Sequence, residues 1–180
     1  MLKRFSLQEL SPVKTPAPKG FNVRPCDIED NPDPKNVALM QSMLGALVFC
    51  SAYLRGDITW IVNLLMRFST KASKTLVEAT VRVFRYLKGT KHRGMVFSKR
   101  IPKGMDPNRL YAFTDTSFSD CQFTFRTTGN VTLMMNGIVF YHRSGRLPIF
   151  TASTCESEFV QISLALPQIL WMREFLGKIN

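Results

Sequence analysis

Two short motifs contain residue types that can hold divalent metal ions. Asp115 lies at the end of a predicted strand in Thr-Asp-Thr-Ser, and Glu158 lies in Ser-Thr-Cys-Glu-Ser-Glu-Phe at the start of a predicted helix. Two-metal hydrolysis of a phosphodiester needs several carboxylates on rigid elements, because the metals bind both the attacking and the leaving oxygen. Asp115 and Glu158 are therefore candidate metal ligands. A turn-forming aspartate is the competing interpretation of Asp115.

The helix start gives its two acids different roles. Ser153 and Glu156 have the spacing of a capping box, in which the glutamate reaches back to the backbone amide of the serine. Glu158 falls on another face of the helix and can turn inward. The sequence therefore favours Glu158 as the ligand and Glu156 as a structural cap.

Three helices are predicted upstream of these motifs. Asp33 is the expected N-cap of the first helix and Asp57 that of the second, which should end near Ser69. The third is expected from Ser73 to Lys88, before Gly89. Apolar residues at helical spacing give the expected core: Met40, Met43, Leu44, Leu47, Val48; Ile58, Ile61, Val62, Leu65, Met66; Leu76, Val83, Phe84, Leu87.

The outer side of the third helix is basic. Arg82, Arg85 and Lys88 follow one another at helical spacing and could contact a phosphate backbone. A solvated face with favourable cations near a helix C-terminus explains the same residues. Both interpretations stay open on the sequence.

The second half has the pattern of strands followed by a helix. Asn136-Gly137 between two apolar runs predicts a hairpin turn. The expected strands are 110–114, 131–135, 138–141 and 148–151. A helix over 154–176 should cover the sheet, with a kink at Pro167. Its expected core face is Phe159, Ile162, Leu166, Ile169, Leu170 and Phe175.

Charge is distributed unevenly along this chain of net charge +11. Through Lys103 there are 18 Lys and Arg against 7 Asp and Glu, and from Gly104 onward 6 face 6. A basic part beside a neutral one is typical of a nucleic-acid-binding protein, although solubility is the alternative explanation. The four widely spaced cysteines indicate neither a zinc site nor a disulfide framework.

One apolar segment needs a separate interpretation. Residues 36–54 carry no charged residue and approach the length of a membrane span. Their polar residues and helical spacing favour a buried core helix, so no membrane contact is expected. The first residues lack the pattern of a signal peptide, which predicts an intracellular protein of the cytoplasm, the nucleus or both.

Several further motifs occur in a specific order. These are Lys14-Thr-Pro-Ala-Pro-Lys-Gly, Asp57-Ile-Thr-Trp-Ile-Val-Asn-Leu-Leu-Met-Arg-Phe, Arg85-Tyr-Leu-Lys-Gly-Thr, the two carboxylate motifs and Ile169-Leu-Trp-Met-Arg. In this order the chain resembles copia-type retrotransposon Pol polyproteins, at the junction of reverse transcriptase and ribonuclease H.

The resemblance implies an α+β chain in three parts. Residues 1–35 would form an extended Pro-rich linker, 36–99 the helical connection region of reverse transcriptase, and 100–180 a partial ribonuclease H-like domain of antiparallel strands covered by a helix. Asp115 and Glu158 would match two magnesium-binding carboxylates. The implied partners are an RNA/DNA hybrid or other nucleic acid and the rest of the polyprotein.

The same resemblance implies that this chain is catalytically incomplete alone. The paired aspartates of the polymerase are expected upstream of Met1, and a third ribonuclease H carboxylate shortly after Asn180. Ser117 stands where the family commonly has a second Asp, but it keeps the Thr-Asp-x-Ser form of other ribonucleases H and is not counted as inactivating. A nuclease, a non-catalytic nucleic-acid-binding remnant and a protein-interaction module therefore remain the three hypotheses.

Overall fold

A computed structural model describes residues 1–98, 100–120 and 123–179. The chain falls into two compact units, Met1–Gly94 and Met95–Asn180. The first contains helices α1 (Pro34–Tyr53), α2 (Thr59–Met66) and α3 (Lys74–Gly89), and the second contains strands β1 (Leu110–Ser117), β2 (Thr128–Met135) and β3 (Ile138–Arg146), followed by helix α4 (Thr154–Ile179). The α+β class is confirmed. Lys99, at the predicted domain boundary, and Cys121 lie outside the described residues.

The core of the first unit lies between its three helices. Asp33 caps α1 as predicted, since its carboxylate accepts a hydrogen bond from the Lys35 amide at 2.9 Å, and Ser73 caps α3 by accepting from the Leu76 amide at 3.3 Å. Phe84 is fully buried at the centre. The predicted core residues Met40, Met43, Leu44, Leu47, Ile58, Ile61, Val62, Leu65, Leu76 and Val83 are buried there too.

Two predictions for α2 were wrong. Asp57 does not cap this helix, because a 3-10 turn at Gly56–Ile58 precedes it and Ile58 occupies the N-cap position. The Asp57 carboxylate binds Arg55 and Tyr86 instead. Met66 is exposed, whereas Leu64 is buried, because the short helix ends at Met66 and turns its last residue to solvent.

The Pro-rich residues 1–35 pack on the helices. Before α1 begins at Pro34 they have no helix apart from 3-10 turns at Lys3–Phe5 and Pro25–Asp27, in accord with their composition. Phe5 nevertheless meets Phe84 edge to face, with ring centroids 5.3 Å apart, and Val23 is buried. An extended backbone can still insert apolar side chains between helices, so this segment belongs to the first compact unit.

The sheet of the second unit is an antiparallel meander in the order β1-β2-β3. The predicted hairpin is confirmed: Asn136 and Gly137 have φ of 53° and 80°, as a type I′ turn requires. The strand predicted over 148–151 was wrong. Leu147 still donates its amide to the Thr127 carbonyl at 2.9 Å, but Pro148 has no N–H with which to continue the pairing.

Helix α4 covers the sheet with a different face from the one predicted. Ser157, Gln161 and Ala165 are the buried positions, and Val131, Leu133 and Ala165 form the small core of this unit. Of the predicted core residues only Ile169 packs there, while Phe159, Ile162, Leu166, Leu170 and Phe175 are exposed. The helix contains Pro167 within one continuous span.

Helix α1 is long and apolar enough to cross a membrane by length and composition alone. A core helix passes the same test, and the buried side of α1 lies in the core of the first unit, at Met40, Met43, Leu44 and Leu47.

Candidate nucleic-acid interface and carboxylate pair

Asp115 lies within β1 and not after it. It pairs in register with Asn130, which pairs with Ser144 on β3. Its neighbour Thr116 faces α4, where its hydroxyl is 2.9 Å from that of Ser157. Because successive side chains of a strand point to opposite faces, Asp115 leaves the sheet on the face away from α4, and it is exposed.

In the first turn of α4 the predicted cap at Glu156 is present, whereas Glu158 does not turn inward. The Ser153 hydroxyl accepts from the Glu156 amide at 3.1 Å. The Glu156 carboxylate accepts from the Ala152 amide at 2.6 Å, one residue before the expected partner. Glu158 is exposed beside the buried Ser157. Glu156 is therefore a cap, and Glu158 keeps its carboxylate available to solvent.

These carboxylates do not by themselves fit a magnesium site. Across the described ranges, no three His, Cys, Asp or Glu residues cluster as a metal site would require. Asp115 and Glu158 lie on different elements, and the contact that joins those elements is made by Thr116 and Ser157. Magnesium demands near-octahedral oxygen geometry, which two exposed carboxylates do not supply.

The basic side of α3 is covered by part of the N-terminal segment, here called the strap (residues 8–18). Arg82 Nη2 donates to the Thr15 hydroxyl at 3.1 Å, and Arg85 Nε donates to the Ser11 carbonyl at 2.7 Å. Lys88 Nζ donates to the carbonyls of Gln8 and Leu10. The three predicted nucleic-acid contacts thus hold a neighbouring stretch of their own chain.

A second basic feature was missed in the sequence. From Ala79 to Met105 the chain has eight Lys and Arg and no Asp or Glu. Beyond α3, four of these cations are exposed and have no ion pair within the part of the chain that the structure describes: Lys91, Arg93, Arg100 and Lys103. The long interval without Asp or Glu is the sequence feature from which these four cations could have been predicted as a basic site.

One charged cluster has a structural explanation. Arg55, 7% exposed, forms a two-bond ion pair with Asp57 at 2.9 and 2.7 Å, and Tyr86 donates its hydroxyl to the same carboxylate at 2.5 Å. Burial raises the pKa of Asp57, but the hydrogen bonds from Arg55 and Tyr86 outweigh it and hold the pKa below 3.8. Arg55 also donates to the Thr90 carbonyl at 3.0 Å. The cluster joins the α1–α2 turn to the end of α3.

The described cysteines give no sign of a metal or redox centre. Cys26, Cys50 and Cys155 are all free thiols. Burial raises the pKa of the Cys50 thiol, which keeps it protonated and poorly nucleophilic.

Comparison with curated proteins finds relatives among transposons of Saccharomyces cerevisiae. The chain is 23% identical to the transposon Ty1-NL2 Gag-Pol polyprotein over 154 residues, which is 86% of this chain and 9% of the relative. The Ty1-DR6 and Ty1-LR3 Gag-Pol polyproteins match with the same identity and coverage. This chain is similar to retrotransposon Gag-Pol polyproteins.

The similarity to Gag-Pol polyproteins supports a Pol-related fragment. It extends over 86% of the chain, so it covers residues of both compact units. The chain spans only 9% of the length of these polyproteins. No protein-family model matches the chain, and no solved structure matches it either.

Proposed function

We propose that this chain is the part of a retrotransposon Pol polyprotein that joins reverse transcriptase to ribonuclease H, and that it holds an RNA/DNA hybrid without cleaving it alone. The homology to Gag-Pol polyproteins supports the origin. A three-stranded meander followed by a covering helix accords with the opening of a ribonuclease H fold that the resemblance implies. An intracellular site of action, in the cytoplasm or the nucleus, goes with this proposal.

The observation that carries the binding proposal is the acid-free basic segment. Its exposed cations have no internal partners among the described residues, so they are free to neutralise phosphates. Arg82, Arg85 and Lys88 would add long-range attraction while they hold the strap. Cleavage is not assigned to this chain, because Asp115 and Glu158 do not by themselves fit a magnesium site.

Removal of the four exposed cations should weaken hybrid binding and make it less sensitive to salt. In the variant Lys91→Gln, Arg93→Gln, Arg100→Gln and Lys103→Gln, the slope of log K against log salt should fall by roughly 0.9 for each phosphate that the chain no longer neutralises. Fluorescence anisotropy of a labelled RNA/DNA hybrid, titrated at several salt concentrations, measures this slope.

A matched control separates local binding from net charge. The variant Lys14→Gln, Lys19→Gln, Lys35→Gln and Lys74→Gln removes the same charge from exposed positions outside the basic segment. It should keep the slope of the parent chain. Equal slopes for the two variants would mean that binding follows net charge only, and the assignment to the basic segment would be abandoned.

The exposed face of α4 favours a second candidate, a protein-interaction surface. Phe159, Trp171 and Ile179 are 67%, 63% and 62% exposed, and Trp171 stacks on Phe175 with centroids 5.6 Å apart. Apolar surface of this kind marks partner sites or causes association. The proposed occupant is another apolar part of the polyprotein, since this chain spans 9% of its relatives.

Without that occupant the chain should self-associate through α4. Light scattering is expected to give a mass above the 20.5 kDa of one chain, and the double variant Phe159→Gln and Trp171→Gln should restore the monomer. The control Phe97→Gln and Phe125→Gln removes two other exposed rings and should leave association unchanged. A monomeric parent chain would refute this candidate.

A further inference from the structure

A cavity of about 250 Å³ lies between the strap and helices α2 and α3. Arg82, Arg85 and Glu78 line it from α3, Ile61 from α2, and Pro16 from the strap, with Phe21 beyond the strap completing the wall. One side of the cavity is therefore charged and the opposite side is apolar. In the proposed hybrid binding, Arg82 and Arg85 contribute only long-range electrostatic attraction, and the other lining residues have no role.

The charged side has hydrogen-bond donors that the protein leaves unused. Arg82 Nε is buried and has no acceptor among the described residues. Toward these same residues, the Arg85 side chain donates through its Nε alone, to the Ser11 carbonyl. Within the described part of the chain, neither arginine has a carboxylate within ion-pair distance. A buried donor without an acceptor costs folding free energy. The Arg82 guanidinium that carries this donor lines the cavity, so a ligand bound beside it would supply an acceptor.

The arrangement favours a phosphate over a carboxylate. Arg82 and Arg85 are separated by one helical turn and face the same cavity. One carboxylate satisfies a single guanidinium through two parallel bonds and leaves the second without a partner. A phosphomonoester has three acceptor oxygens and a charge of about −1.5 to −2 at pH 7, which matches two arginines.

We infer that this cavity binds a phosphomonoester attached to a flat or apolar group, such as one nucleotide unit. The phosphate lies against Arg82 and Arg85, and the attached group lies against Phe21 and Pro16. Glu78 opposes the ligand charge and weakens binding. The shared chemistry can come from a free nucleotide or from the terminal phosphate of a nucleic-acid strand. This inference does not depend on the binding of a hybrid by the basic segment.

Arginine Nε–Hε resonances in the full chain give a direct test. Titration with thymidine monophosphate should shift the Arg82 Nε–Hε signal, whereas thymidine, which lacks the phosphate, should not. Inorganic phosphate should shift it at higher concentration. A 5′-phosphorylated oligonucleotide and its 5′-hydroxyl form then distinguish a free nucleotide from a strand end. Equal shifts with thymidine and its monophosphate would overturn the inference.

Three substitutions assign the effect to the cavity. Arg82→Gln should weaken binding of thymidine monophosphate roughly tenfold or more, and Glu78→Gln should tighten it about threefold by removing like-charge repulsion. Arg93→Gln, an exposed arginine outside the cavity, should change nothing. Arg82 also holds the strap, so loss of binding in Arg82→Gln could come from a displaced strap. Glu78→Gln leaves Arg82 and its bond to the strap in place and therefore tests the ligand position separately. If it fails to tighten binding, the phosphate does not lie here.

Discussion

Replacement of Asp57 with Asn is expected to lower the free energy of unfolding of the Met1–Gly94 unit by roughly 3 to 5 kcal/mol. The variant leaves Arg55 with two hydrogen bonds to Thr90 but with no counter-charge. The Arg55 side chain is 8% exposed, so solvent cannot compensate for the missing carboxylate. An uncompensated buried cation is the costly outcome when one partner of such a pair is removed.

Removal of the other partner, Arg55, should lower the unfolding free energy less than removal of Asp57. Arg55→Met leaves Asp57 without its cation, but the Asp57 side chain is 40% exposed and can be hydrated. We expect a loss of roughly 1 to 3 kcal/mol, and a similar loss for Tyr86→Phe, which removes one bond to a charged acceptor. Denaturant unfolding in a Trp171→Phe background leaves Trp60 of α2 as the only tryptophan. If Arg55→Met lowers the unfolding free energy more than Asp57→Asn does, the burial of the Arg55 cation does not determine the stability of this pair.

The Arg55–Asp57 ion pair also predicts how the free energy of unfolding depends on pH. The pKa of Asp57 is lower in the folded chain than its ordinary value of 3.8. Its stabilisation is therefore complete above the unfolded pKa and is lost as the pH falls through the folded pKa. The difference in unfolding free energy between the parent chain and Asp57→Asn should be constant near neutral pH and shrink below about pH 4. A constant difference down to about pH 2 would contradict this.

The Asp57 cluster illustrates what the sequence did not provide. A local pattern after Gly56 indicated an N-cap, because Asp is a common capping residue. Tyr86, which competes for the carboxylate, lies 29 residues later, so only the packed helices bring it close. The caps at Asp33 and Ser73 were predictable because each bonds an amide two or three residues away.

In the candidate site, too, the features set by sequence neighbours were predicted and those set by distant residues were not. The cap at Glu156 and the hairpin at Asn136-Gly137 depend on neighbours in sequence and were predicted. Asp115 was predicted at a strand end, but pairing with β2 extends the strand to Ser117. The covering of Arg82 by the strap depends on Thr15, 67 residues earlier, and no local pattern indicates it.

The covering face of α4 could not be chosen by periodicity because apolar residues occur around most of the helix. Phe159, Ile162 and Leu166 have helical spacing, as do Ser157, Gln161 and Ala165. The second set faces the sheet, where Gly129, having no side chain, leaves room for the Gln161 carboxamide. Gln161 Nε2 donates to the Asn130 carbonyl at 3.0 Å on this strand. Gly129 lies before the strand predicted over 131–135, so the sequence analysis did not mark this approach.

Two paired glycines provide a direct test of that face. Gly129 and Gly145 are register partners on β2 and β3. A Cβ added at Gly129 would overlap the carboxamide oxygen of Gln161 and lie 3.0 Å from Leu147 Cδ2, whereas a Cβ at Gly145 would have nothing within 4 Å. Neither residue has a positive φ, so alanine is compatible with both backbones. The two substitutions therefore differ in packing against α4 and Leu147.

Gly129→Ala is expected to destabilise the second unit by about 1 kcal/mol, because the Gln161 carboxamide must move aside and give up its bond to the Asn130 carbonyl. Gly145→Ala should be neutral or stabilising by up to about 1 kcal/mol, since alanine loses less backbone entropy than glycine on folding. A Trp60→Phe background leaves Trp171 of α4 to report unfolding. In a Gln161→Ala background the cost of Gly129→Ala should shrink, because the overlapping group is gone. Equal effects of the two alanines would contradict the packing of Gln161 of α4 over Gly129.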